Sequence, residues 1–219
     1  MGDKGTVGPM ASRRQREAGR GSGQYFEPNP SVRSRPGSVL LRLPDMELEL
    51  GTDRGVFSAE RIDAGTELLL REHADPPAVA TTLLDVGCGY GPIAIGLARR
   101  APTATVWAVD VNERALDLCR ANAERHGVGD RVRAVTPDEV PADVRVEGLW
   151  SNPPIRAGKA HLHELLERWL ARLAPDAEAR LVVHKHLGAD SLARWLTTEG
   201  WTVERLTSRA RYRILRVAR

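Results

Sequence analysis

Between residues 39 and 57, apolar and polar positions alternate with period two. Val39, Leu41 and Leu43 take one face, Pro44-Asp45 marks a turn, and Met46, Leu48 and Leu50 return against Glu47 and Glu49. This predicts a β-hairpin with one solvated face. Gly51 to Gly55 loops onward to Val56-Phe57-Ser58, and Asp63-Ala64-Gly65-Thr66 leads into Leu68-Leu69-Leu70, a short helix. From residue 81 the pattern changes. Strands are predicted at 82–86, 105–109, 131–135, 147–151 and 180–184, and helices at 92–100, 113–126, 161–173 and 191–199. Two further strands, 201–206 and 212–217, close the chain. Such alternation predicts an α/β domain with a mainly parallel sheet and helices on both faces.

The first chemical signal is Asp85-Val86-Gly87-Cys88-Gly89-Tyr90-Gly91, at the end of the first core strand and before a helix. Glycines at such a turn let the backbone bend sharply and approach a ligand with no Cβ in the way. Nicotinamide, flavin and S-adenosylmethionine enzymes all use a turn of this kind. Asp85, two residues before the first glycine, discriminates among them. A carboxylate there repels a pyrophosphate but suits the ammonium of S-adenosylmethionine, directly or through water. Asp110 ends the second strand, where an acid can accept both ribose hydroxyls or, alternatively, favour the start of the next helix.

The second signal is Ser151-Asn152-Pro153-Pro154-Ile155, at the end of the fourth strand. Two prolines lack N–H groups and fix φ, so a central strand cannot continue through them. The expected result is a rigid loop with free carbonyls, although Asn-Pro also occurs as a plain strand-ending turn. An NH₂ group needs two acceptors to hold its hydrogens. The Asn152 side-chain oxygen and the Pro153 carbonyl can supply them and leave the nitrogen lone pair aimed at an electrophilic methyl.

Together these motifs resemble class I S-adenosylmethionine-dependent N-methyltransferases. More narrowly, Gly55-Val56-Phe57-Ser58, Asp63-x-Gly65-Thr66-x-Leu68-Leu69 and Asn152-Pro153-Pro154-Ile155-Arg156-Ala157-Gly158-Lys159 resemble the small-domain methyltransferases. These are similar to the catalytic half of bacterial 16S ribosomal RNA guanine-N2 methyltransferases. The likeness runs from about Gln24-Tyr25-Phe26 to the C-terminus. It implies a Rossmann-like, seven-stranded sheet whose last strand is antiparallel, preceded by the hairpin. It also implies that Asp85, Gly87, Cys88, Gly89, Gly91, Asp110, Val111 and Asn152 surround the cofactor, with Asp63, Gly65 and Thr66 near its methionine end. Asn152 and Pro153 would hold the target amine, with Pro154 and Ile155 completing the catalytic loop. Two departures stand out. Many relatives carry an aromatic residue where this chain has Ile155, which loses the stacking increment of an aromatic face. Relatives also tend to place Ser-Asp by the adenine where this chain has Thr136-Pro137-Asp138, so Asp138 is a candidate only.

Charge adds a partner. The chain carries 32 Lys and Arg against 29 Asp and Glu, unevenly spread. Residues 1–42 hold eight basic and three acidic residues, and the last fifteen residues hold six arginines and no acid. Basic ends suit a polyanion, although 29 of the 32 basic residues are arginine, as a GC-rich genome also produces. Arg156, Lys159 and Lys185 are the candidate substrate contacts, where a phosphate would meet the Asn-Pro-Pro loop. With the resemblance, the partner implied is RNA, as ribosomal RNA or a ribosomal subunit.

No apolar run approaches the ~20 residues of a membrane span, and Cys88 and Cys119 make neither a disulfide framework nor a closed zinc site. The expected compartment is the reducing cytoplasm. Residues 1–23 have almost nothing to bury and read as a disordered basic tail, leaving 24–219 as a single domain. His161/His163 and His184/His186 lack a partner acid or thiolate in register, so no metal is expected.

Overall fold

In the computed structural model, which describes residues 32–219, β1 (Gly37–Arg42) and β2 (Glu47–Thr52) form the expected antiparallel hairpin. Val39 faces Leu50 and Leu41 faces Leu48, and all four are buried while Glu47 and Glu49 face solvent. The readings placed on residues 1–23 and on Gln24-Tyr25-Phe26 lie outside the described residues.

The hairpin leads to α1 (Ala64–Glu72), whose N-cap is Asp63. Seven strands follow as one sheet: β3 (Thr82–Val86), β4 (Thr105–Val109), β5 (Val132–Val135), β6 (Val146–Ser151), β7 (Leu173–His184), β8 (Thr202–Arg209) and β9 (Tyr212–Ala218). Their order is β5-β4-β3-β6-β7-β9-β8. The last strand, β9, runs antiparallel to both neighbours, and the other adjacent pairs are parallel. The connecting helices are α2 (Pro92–Arg100), α3 (Glu113–Arg125), α4 (Lys159–Leu170) and α5 (Ala189–Thr198).

Strand alternation divides the core into two layers. Leu83, Val106, Trp150 and Val182 pack with the hairpin, α1, α2 and α3. Leu84, Val109, Leu149, Leu181 and Val183 pack with α4 and α5 on the other face. Each of these apolar side chains, once sealed from water, contributes roughly 1.5–3 kcal/mol relative to exposure. Asn122 ties the hairpin to the body: it accepts from Gly51 N at 2.7 Å and donates to the carbonyls of Gly51 and Tyr90, each at 2.9 Å.

Two elements depart from the sequence pattern. Helix α4 spans Lys159–Leu170 rather than 161–173, because it starts directly after Gly158 (φ 103°), which no continuing helix tolerates. Strand β7 begins at Leu173 rather than 180. Val146 pairs with Leu173, yet Gly148 pairs with Glu178, so β7 carries an extruded stretch around Asp176, at φ 62°. That stretch hides the strand's first half from period-two analysis. Among the described residues, no helix is long and apolar enough to cross a membrane.

Candidate active site

Sheet register builds the site. Val86 lies beside Val109 on one side and Ser151 on the other. The residues that follow, Gly87, Asp110 and Asn152, therefore leave three adjacent strands at one rim. This is the carboxyl edge at the point where β4 and β5 extend the sheet on one side of β3 and β6 begins the other side, where open α/β sheets bind ligands.

The glycine turn is anchored by the Gly87 and Cys88 amides, which donate to the Val109 carbonyl at 2.8 and 3.0 Å. Gly87 and Gly89 have φ of 74° and 55°. A Cβ on Gly89 would meet nothing within 4 Å, and one on Gly87 only the Asn152 carbonyl at 3.9 Å. The turn thus leaves open space in front of its backbone. Gly91 is different: a Cβ there would lie 2.7 Å from Cys119 Sγ, so this glycine serves packing against α3 and does not line the cavity.

Asp110 accepts from Gly89 N and Asn112 N, both at 2.9 Å, one through each carboxylate oxygen. Burial raises its pKa against these hydrogen bonds. Each oxygen keeps a lone pair for a further donor, which fits a ligand diol.

Asp85 corrects the sequence reading in one respect. It is fully buried beneath the turn and does not line the cavity, so direct contact with a ligand ammonium is excluded in this arrangement. Its Oδ2 instead accepts from Ala94 N at 3.0 Å at the start of α2. Oδ1 is sealed with no partner among the described residues. Burial pushes the carboxyl up to about 8, so at neutral pH it holds its proton.

The Asn-Pro-Pro loop is also more engaged than its sequence implied. The Pro153 carbonyl accepts from Ile155 N at 2.8 Å across a three-residue turn, and the Pro154 carbonyl accepts from Ala157 N at 3.0 Å in the 3₁₀ turn (Ile155–Ala157) that follows the prolines. Pro153 keeps one lone pair. The Asn152 amide donates to Asp63 Oδ1 at 2.7 Å and to Thr66 Oγ1 at 3.0 Å. Its Oδ1 accepts from none of the described residues.

These parts surround one cavity of about 660 Å³. Of the residues singled out from sequence, Asp63, Thr66, Gly87, Cys88, Gly89, Asp110, Val111, Asn152, Pro153, Pro154, Ile155 and Arg156 line it. Gly65, Lys159, Lys185 and Asp138 do not. Gly65 lies behind the wall against Tyr212. Lys159 and Lys185 are exposed, at the first turn of α4 and just after β7. Asp138 turns outward, 92% exposed, and pairs with Arg168 at 2.9 Å, while its neighbour Pro137 takes the place in the wall.

The sequence reading gave no cavity role to Phe57, His161, His184, Leu187 or Tyr212, all of which line it. Phe57 and Leu187 are exposed apolar side chains at 45% and 41%. His184 stands edge-on to Tyr212, with ring centroids 5.2 Å apart. The only local signal for Phe57 was its position inside Gly55-Val56-Phe57-Ser58.

Comparison with known proteins agrees with this architecture. Residues 47–216 match the family described as "Methyltransferase small domain". The chain is 36% identical over 173 residues to the uncharacterized protein YbxB of Bacillus subtilis, covering 78% of this chain and 85% of that one. It is 38% identical over 142 residues to Ribosomal RNA small subunit methyltransferase C of Aeromonas hydrophila subsp. hydrophila, 64% of this chain and 40% of that one. It is 40% identical over 144 residues to the release factor glutamine methyltransferase of Chlorobaculum tepidum, 62% of this chain and 45% of that one. This chain therefore corresponds to less than half the length of these two methyltransferases. In fold it is similar to the T. thermophilus 16S rRNA N2 G1207 methyltransferase (RsmC) in complex with AdoMet and guanosine. That match has a TM-score of 0.72 at 23% identity, over 87% of this chain and 52% of that one.

A parallel sheet closed by one antiparallel strand, with its ligand edge at the glycine turn, is the Rossmann-like methyltransferase fold. Within that class, this chain belongs to the methyltransferase small domain family. The methyl donor of the family is S-adenosylmethionine.

Proposed function

We propose that this protein is a cytoplasmic N-methyltransferase that modifies an exocyclic amine of RNA, with guanine N2 of ribosomal RNA as the target. The observation that carries the reading is the meeting of the glycine turn, Asp110 and the Asn152-Pro153 loop in one cavity. When bound, S-adenosylmethionine supplies an electrophilic methyl on a sulfonium. Gly87 and Gly89 would leave room for its chain, and Asp110 would accept its ribose hydroxyls. Asn152 Oδ1 and the Pro153 carbonyl accept the two hydrogens of the target NH₂ and turn the nitrogen lone pair toward the methyl. The protein's part is alignment and exclusion of water, worth several powers of ten in rate when geometry is held. No dedicated general base is required, because the amine loses its proton after transfer. A base stacked and paired inside a helix cannot present its amine to the Asn152-Pro153 loop within a cavity, so the target is unpaired or flipped.

Likeness to the ribosomal RNA methyltransferase supports RNA as the substrate class, and the ribosomal subunit is the proposed partner. A second reading has support of its own: the likeness to a release factor glutamine methyltransferase, since a side-chain amide also presents NH₂. Ile155 favours the ribosomal RNA reading, because the glutamine enzymes usually carry an aromatic residue after the two prolines. The test of the amine-holding role is Asn152→Ala. Calorimetry is expected to find S-adenosylmethionine affinity within about twofold of the parent, while turnover falls by about 10²–10³-fold. Near-normal turnover would overturn the assignment.

A further inference from the structure

The Asn152 amide can point its oxygen in only one direction. Asp63 Oδ1 lies 2.7 Å from Nδ2, and an ionised carboxylate only accepts. The inverted amide would set oxygen against oxygen there, while the Thr66 hydroxyl, 3.0 Å away, can accept from the nitrogen or donate to an oxygen and so leaves the choice to Asp63. Both amide hydrogens are thereby used inside the protein, and Oδ1 is the group left for the cavity.

Asp63 is itself held from three sides. Its Oδ1 accepts from Gly65 N at 2.9 Å and Thr66 N at 3.0 Å, and its Oδ2 accepts from the Tyr212 hydroxyl at 3.2 Å. Tyr212 comes from β9, and its ring fits against the start of α1 because residue 65 has no side chain. Three segments far apart in sequence, the start of α1, the end of β6 and the start of β9, thus converge on one amide.

From this convergence we infer that Asp63, Thr66 and Tyr212 form a positioning relay that fixes the Asn152 side-chain oxygen toward the target amine. The inference rests on the amine-holding reading of the Asn-Pro-Pro loop. It gives Asp63 and Thr66 a role in orienting Asn152, distinct from a place at the cofactor's methionine end. None of the three is a catalytic residue, since each acts through Asn152. Orientation by fixed partners prepays the ordering that would otherwise fall on the transition state, and its loss is therefore a loss of turnover.

Asp63→Ala also removes the cap of α1, so the decisive variants lie at residue 66. Thr66→Val keeps the shape and removes the acceptor; Thr66→Ser restores it. The assay is methyl transfer from S-adenosylmethionine to small ribosomal subunits purified from cells lacking this protein, with cofactor affinity measured by calorimetry. Thr66→Val is expected to lower kcat about tenfold, with KM for the subunits and cofactor affinity within about twofold of the parent. Thr66→Ser is expected to recover kcat to within about twofold, and Tyr212→Phe to lose about threefold. In ¹⁵N spectra the Asn152 side-chain amide is expected to exchange faster with water in Thr66→Val than in the parent. A parent protein that methylates the subunits, alongside Thr66→Val of equal kcat, would overturn the relay alone. A parent protein that transfers nothing to the subunits, nor to a release factor offered beside them, would overturn the amine-holding reading and the relay with it. Loss of cofactor affinity in Thr66→Val, matching the loss of turnover, would also overturn the relay and return Thr66 to the cofactor.

Discussion

The ring of Tyr212 occupies the space that a side chain on residue 65 would need: a Cβ built on Gly65 would lie 2.6 Å from Tyr212 Cε1. Glycine inside a helix ordinarily costs about 0.5–1 kcal/mol relative to alanine, so this one is retained for contact. Gly65→Ala is expected to push the ring off Asp63 and to destabilise the protein by about 1–3 kcal/mol in urea unfolding. In a Tyr212→Ala background the ring is gone and Asp63 Oδ1, 3.0 Å from the same Cβ, is the close neighbour that remains, so the cost is expected to fall by about 1 kcal/mol or more. Equal effects in both backgrounds would show that the contact does not govern residue 65.

Stability should depend on pH through Asp85. Its folded pKa is raised to about 8 from the ordinary 3.8, by burial first of all. The folded state therefore keeps a proton that the unfolded chain releases. The contribution of that proton is fully present below a pH of about 4 and is lost as pH rises toward 8, at up to about 1.4 kcal/mol per pH unit. Urea midpoints between pH 6 and 8.5 are expected to fall in the parent protein. In Asp85→Asn that share of the slope should vanish, and an unchanged slope would place the titration elsewhere.

Asp110 presents residual acceptor capacity on both oxygens after binding Gly89 N and Asn112 N. Removing it from a ribose costs up to two hydrogen bonds to a charged group. Asp110→Ala is expected to weaken S-adenosylmethionine binding by roughly 10–100-fold, with circular dichroism unchanged. Calorimetry that finds affinity within twofold would remove Asp110 from the cofactor site.

Phe57 stands half exposed on the cavity wall, and Ile155 cannot supply an aromatic face. Phe57→Ala is expected to raise KM for ribosomal subunits by about tenfold, the size of one lost base stack, with unfolding stability changed by less than about 0.5 kcal/mol. An unchanged KM would mean that the ring does not meet the base.

The parts of the site that were legible in sequence are those carried by contiguous residues with an enforced backbone. Gly87-Cys88-Gly89 and Asn152-Pro153-Pro154 each dictate a chain conformation, and the alternation of strands and helices placed both at strand ends. What stayed hidden depends on non-local pairing. Strand β7 reads as short because its register against β6 shifts at Asp176, and no local period records a partner strand. Tyr212 reaches the cavity only because β9 inserts beside β7, where it pairs with His184. Asp138 was drawn in by its nearness in sequence to the expected adenine contact, whereas its side chain points outward, beside Arg168. Asp85 shows the reverse case: its place before the glycines was visible, but its complete burial was not.

The proposed reaction leaves a chemical mark that can be read directly. Small ribosomal subunits from cells lacking this protein, incubated with it and with S-adenosylmethionine bearing a deuterated methyl group, are digested to nucleosides and examined by mass spectrometry. The deuterated methyl is expected on N2-methylguanosine, appearing about 10²–10³-fold more slowly when Asn152→Ala replaces the parent. Label confined to glutamine of a release factor offered in the same reaction, or label on no product, would contradict the account.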